Sequence, residues 1–228
     1  MILKHVYLYL NLLEYADDLS TPFGFKTRYV CNFLERRLRP VRFHTEGFSK
    51  ICVQGRENPS DGCPIVSINA AVPEVHFDQP LYESLSDGDL HEFFIDMLVR
   101  GLRKCGDSHE IPLDVLLSGI EEFRSGGYRN EWVYKTKLFR AQHIRATLAC
   151  KLTISEFTLN LSVSRSDRVL FDQTILRTLP DEIIFEHQFR DMSVTGDELI
   201  VTGKFGHTLY TLPLSELDCG TPDRDASE

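Results

Sequence analysis

The spacing of apolar residues changes at about Gly127: before it they recur every three to four positions in long stretches, and after it every second position. The clearest helical stretch runs from about Asp87 to Cys105. There Leu90, Phe93, Phe94, Met97, Leu98, Gly101, Leu102 and Cys105 form one stripe at the 3.6-residue period. Ser86 or Asp87 is placed to cap it, acids fill its first turns, and Arg100, Arg103 and Lys104 sit at its end, in line with the helix dipole. A second helix is expected over roughly 112–125, with Leu113, Leu116, Leu117 and Ile120 facing inward and Gly126-Gly127 as its stop. Nearer the start, residues 3–13 read as a strand. Thr21-Pro22 offers a helix start with Pro at the first helical position, and Phe25 to Leu38 continues it until Pro40. Short β-like runs follow at 51–53, 65–68 and near 75–77, with a loop over residues 55–64.

Past Gly127, Ile144, Ala146, Leu148, Cys150, Leu152 and Ile154 alternate with Arg145, Thr147, Ala149, Lys151 and Thr153, and Phe157, Leu159, Leu161 and Val163 alternate again. Further β-like runs lie near 130–138, 168–175, 183–189, 198–204 and 207–213. Connections as short as Arg165-Ser166-Asp167 suit antiparallel neighbours, and one apolar face against one polar face suits a sheet wet on one side. The fold class expected is α+β: an N-terminal mixed α/β part with about three helices, then a C-terminal antiparallel, meander-rich β-sheet. The boundaries expected are 1–127 for the first part, with its two successive amphipathic helices, and 128–214 for the second, the two packed as one globular unit. An acidic tail over 215–228 is expected to be disordered.

Composition narrows the class further. With 228 residues, 42% hydrophobic and 26% charged, the chain can bury a sizeable core, and disordered, collagen-like and coiled-coil readings are excluded. No apolar run approaches the roughly 18–20 residues that span a bilayer, so no membrane partner is expected. The apolar stretch after Lys4-His5 is short and runs straight into Glu14, Asp17 and Asp18 with no small-residue cleavage site. It reads as a strand rather than a signal peptide, and a cytoplasmic location follows as the expectation. The six cysteines are then expected to be reduced. Cys105 and Cys150 fall on apolar faces, and no CxxC pair suggests a zinc site.

Charge changes the picture most. The formal net charge is −9, and its distribution is uneven. Residues 26–56 carry eight bases against two acids, whereas residues 57–99 carry nine acids and no Lys or Arg. A cation-free acidic stretch can project a negative field that attracts a basic partner and disfavours nucleic acid as a direct ligand. The competing readings are that the basic segment neutralises it within the fold, or that it is solvating surface.

Motifs for chemistry are sparse. The chain has no P-loop, no GxGxxG after a strand, no GxSxG and no HExxH. Asp87-Gly88-Asp89-Leu90-His91 has a DxDxH spacing, but it supplies too few oxygens for calcium or magnesium and leads into a helix, so helix capping explains its aspartates. Cys63, in Asp61-Gly62-Cys63-Pro64, is the one cysteine in an evident loop, with no base flagged to activate it. Glu121 and Glu122 are adjacent on a helix and point apart, so they form no carboxylate dyad. Trp132 is either an interface anchor or core.

Taken together, these features point to a non-enzymatic protein-binding module. Glu74, Asp78, Glu83, Asp87, Asp89, Glu92 and Asp96 would bind a basic protein partner by pairing with its cations. A bacterial immunity protein that occludes the basic surface of a toxin domain is the concrete case. No cofactor, metal or catalytic residue is called for. The alternatives are an enzyme of an unfamiliar family with a site near His76, Asp78 and His91, and a structural subunit pairing through its β-sheet.

Overall fold

Alternation in His5–Leu10 makes strand β1, with Val6, Leu8 and Leu10 buried and His5, Tyr7 and Tyr9 partly open. The structure, a computed structural model, describes residues 1–166 and 168–217. Strand β1 pairs in parallel with β2 (Lys50–Arg56), setting Val6 beside Ile51 and Leu8 beside Val53, so both strands present one apolar face. Parallel neighbours need a crossover, which α1 (Asp17–Leu38) supplies. Strand β2 also pairs in parallel with β4 (Ala70–Ala71) and β5 (Glu74–His76), while β3 (Ile65–Val66) runs antiparallel to β4. The sheet order is β1-β2-β4-β3, with β5 attached to β2.

Helix α1 begins at Asp17, so Pro22 lies inside it rather than opening it. Asp17 and Asp18 fill the first turn, where the helix dipole favours acids. Helix α2 (Gln79–Ser84) is capped by Asp78, whose Oδ1 accepts from the Leu81 N–H at 3.0 Å. Helix α3 (Leu90–Ser108) buries the expected stripe, except that Phe93 stays partly open. Its start differs from expectation. Neither Ser86 nor Asp87 caps it; the Ser86 hydroxyl donates to Asp89 Oδ2 at 2.6 Å, and the Ser86 carbonyl accepts from the N–H groups of Asp89 and Leu90. Helix α4 (Leu113–Ser125) stops at Gly126-Gly127, and Gly127 adopts φ +69°.

Buried polar groups of α1 finish the open edge of β1. In a parallel pair alternate residues bond to the neighbour, and Val6 and Leu8 point away from β2. The Val6 N–H donates to Glu35 Oε1 at 3.2 Å and its carbonyl accepts from Arg28 Nη1 at 3.1 Å. The Leu8 carbonyl accepts from the Thr27 hydroxyl at 2.8 Å. Arg28 and Glu35 also pair with each other at 3.2 Å, which explains how two ionic side chains come to be buried in an apolar layer.

The alternation expected over 144–152 and 157–163 is present, whereas Ile154 falls in the connection between those strands and is only partly buried. The order β6 (Asn130–Phe139), β7 (Ile144–Leu152), β8 (Phe157–Arg165), β9 (Arg168–Thr178) is a meander in which β7–β8 and β8–β9 are antiparallel. Ile144, Ala146, Leu148, Cys150, Leu152, Phe157, Leu159, Leu161 and Val163 are all buried. The run expected as a strand over 183–189 is instead a single helical turn, α5 (Glu182–Phe185), because the Asp181 carboxylate accepts from the Ile183 N–H and starts a helix. A strand not expected from the sequence, β10 (Asp191–Thr195), joins β11 (Glu198–Thr202) and β12 (Thr208–Pro213) in a three-stranded antiparallel sheet.

The expected tail starts too early at 215: Leu214–Leu217 form a 3-10 turn and Leu217 is buried. The remainder of that tail, 218–228, lies outside the described residues, as does Asp167 of the expected 165–167 turn. The class is α+β. The described residues divide into two compact units, Met1–Asn130 with Thr153–Ser155, and Glu131–Leu152 with residues from Glu156 onward. Among the described residues no helix is long and apolar enough to cross a membrane.

Candidate functional site

The acidic segment does not stay free of cations once folded. Glu74 accepts from Arg56 Nη1 at 2.7 Å and from both the N–H and the hydroxyl of Ser60 at 2.7 Å. Burial works against its charged form, but these donors outweigh it and hold the carboxyl at about 2. Arg56 also pairs with Glu14. Glu92 takes three bonds from Arg124, at 2.7, 3.0 and 3.1 Å, and one from the Tyr128 hydroxyl at 2.8 Å; the guanidinium holds its carboxyl below the usual range. Asp96 pairs with Arg100 at 2.8 Å, and Asp87 lies 3.6 Å from Lys26. Four of the seven acids expected to face a partner thus already have a cation of this chain, because folding returns the bases of flanking segments to them.

Asp78, Glu83 and Asp89 differ. Among the described residues they accept only from neutral donors: the Leu81 N–H, the Gln79 side chain and the Ser86 hydroxyl. Two of these, Asp78 and Asp89, meet at an open groove of about 300 Å³. Its apolar lining comes from Leu81 and Leu85, in and after α2, and Phe93 of α3. His76, Asp78, Asp89, Asp96 and Arg100 supply its polar lining. Local folding explains the convergence. Asp78 is fixed as the cap of α2, Asp89 closes the turn that opens α3, and Phe93 and Asp96 follow on the exposed side of that helix. Arg100 is held across one end, donating to Asp96 and, at 3.2 Å, to the His76 carbonyl. His76 Nδ1 donates to the Glu57 carbonyl at 2.9 Å, which leaves Nε2 as an acceptor. The groove can therefore offer two uncompensated carboxylates and an imidazole nitrogen beside an apolar floor. Sequence reading found its acids but missed its floor: Phe93 falls in the stripe expected to be buried, and nothing in the sequence marks it, Leu81 or Leu85 as open.

The residues proposed for an enzyme do not assemble. His76 and Asp78 share the groove, but His91 faces elsewhere: Nδ1 lies 2.5 Å from the Tyr29 hydroxyl, and the ring stacks on Tyr128 at 4.5 Å. Burial lowers its pKa, with Glu92 and Asp87 offsetting part of the effect. The DxDxH spacing disperses likewise, Asp87 toward Lys26, Asp89 toward Ser86 and His91 toward Tyr29. Among the described residues no three His, Cys, Asp or Glu side chains could hold a metal ion. Cys63 lies in a loop but is buried, and the neighbouring Cys63 thiol together with burial pushes the Cys105 thiol upward. Glu121 and Glu122 pair separately, with Arg124 and Arg37. Trp132 is half-buried, its ring centroid 6.3 Å from that of Phe157.

Compared with known proteins, the chain matches no family model, no curated protein and no solved structure.

Proposed function

We propose that this protein is a non-enzymatic binding module that receives a basic segment of a partner protein in the groove between α2 and α3. The observation that carries the reading is the placement of Asp78 and Asp89, each without a cation among the described residues, beside the exposed apolar surface of Leu81, Leu85 and Phe93. A Lys or Arg next to a leucine-like side chain satisfies both features at once: the cation meets the carboxylates and its apolar neighbour covers the floor. Glu74 and Glu92 drop out of the contact set first expected, since breaking their pairs would cost more than an exposed pair returns. A toxin domain that grips phosphate through a cationic surface is a partner with the required chemistry, and occluding that surface would neutralise it.

Short peptides with arginines flanking one leucine provide the test, read by fluorescence polarisation. Asp78→Asn and Asp89→Asn keep the cap and turn hydrogen bonds while removing charge. Together they should weaken binding about tenfold or more, and added salt should weaken the wild type alike. Affinity indifferent to both changes would sink the reading.

A further inference from the structure

The second unit holds a concavity of opposite sign. It measures about 470 Å³ and is lined by Leu138, Arg140, His143, Arg145, Arg165 and Ser166, with no acid in the lining among the described residues. These residues are distant in sequence, and the meander is what gathers them. The β6–β7 and β8–β9 connections fall at the same end of consecutive strands, and the β7–β8 register sets Arg145 opposite Ser164, next to Arg165. Arg140 opens a 3-10 turn, Arg140–Gln142, that carries the chain into His143. His143 and Ser166, one in each connection, both adopt the left-handed conformation, with φ 55° and 53°.

Arg140 and Arg145 bring two guanidinium groups to one hollow, and such like charges repel each other unless an anion lies between them. Folding has nonetheless paired Arg145 with a serine rather than an acid across the strand, and placed a hydroxyl and an imidazole beside the cations. Planar guanidinium forks match phosphate oxygens in pairs, and several forks suit a group with more than one charge. The hollow is larger than one inorganic ion needs and falls in the size range of small-molecule sites. Leu138, more than half exposed, supplies an apolar wall.

We infer that this end of the four-stranded sheet binds the phosphate groups of a small phosphorylated molecule, gripped by Arg140 and Arg145 with Ser166 as a hydroxyl donor. The site is independent of the groove in the first unit, and its test does not involve a basic partner.

Isothermal titration of the full chain with ATP, and separately with inorganic pyrophosphate, provides that test. Arg140→Ala with Arg145→Ala removes exposed side chains only; Arg103→Ala, an exposed arginine of α3, controls for charge. One site per chain is expected, weakened about tenfold or more by the double variant and less than about twofold by the control. Tighter binding of ATP than of pyrophosphate would identify a nucleotide; equal binding would identify recognition of the phosphates alone. Absence of binding by both probes would overturn the inference. So would equal loss in the control, or association solely with phosphatidylglycerol vesicles. Unchanged thermal melting of the double variant would confirm that lost binding is not lost folding.

Discussion

Glu74 shows how one side chain changes meaning on folding. In the sequence it is an acid among acids; in the fold it joins Arg56 and Ser60 and accepts three hydrogen bonds. Its carboxyl sits at about 2, against the usual 4.5 that it recovers when the chain unfolds. Between those values the unfolded chain binds the extra proton, so stability from this residue is complete above about pH 4.5 and drains as pH falls toward 2. Glu74→Gln should lower stability by about 1–2 kcal/mol at pH 7. The gap from wild type should close in urea titrations repeated at falling pH; a gap that stays constant would rule out the charged pair as its source. Cys63 makes the complementary point. A loop position implied access, but Cys63 is buried, beside Cys105 of α3, some forty positions downstream.

Among the elements, α3 and β2 are joined most closely at Gly101. A Cβ there would come within 2.5 Å of both methyls of Val53, which is fully buried. Gly101→Ala should cost about 1–3 kcal/mol by overpacking. Adding Val53→Ala, itself destabilising, should recover part of that loss in a double-mutant cycle of urea midpoints; strictly additive losses would show that the two do not meet there. The same helix was the most legible element in the sequence, because burial on one side leaves a 3.6-residue stripe, and β7 and β8 were legible because burial on one face leaves alternation. Elements without such one-sided burial escaped. Helix α1 starts in Asp17-Asp18, with no apolar repeat to mark it, and Pro22 looked like a natural beginning. Ile183-Ile184-Phe185 has strand-like composition, yet one carboxylate at Asp181 sets a helical turn. The groove was half legible, its acids visible by type and its floor not. The cationic hollow was not legible at all, since Arg140, Arg145 and Arg165 become neighbours only through strand pairing.

For the molecule as a whole, the net charge of −9 conceals two local environments. One is an acidic groove bordered by paired ions, the other a cluster of cations, each within its own unit. Both arise where helix caps or strand connections expose side chains that no regular element needs, the usual place for recognition on a rigid scaffold. The polar side chains of α1 that complete β1 bear on how many copies of the chain share one sheet. A strand with bare N–H and carbonyl groups is a template onto which another copy can add. Glu35 and Arg28 occupy the groups of Val6 that such an addition would use. Replacing both with alanine should free that rim without stranding either charge. The expected phenotype is concentration-dependent assembly, seen as larger species in light scattering, rather than simple loss of structure; a monomeric double variant at high concentration would refute it. Such assembly would make the same two residues a terminator of growth and would tie the solution behaviour of the chain to a pair of ions hidden from solvent.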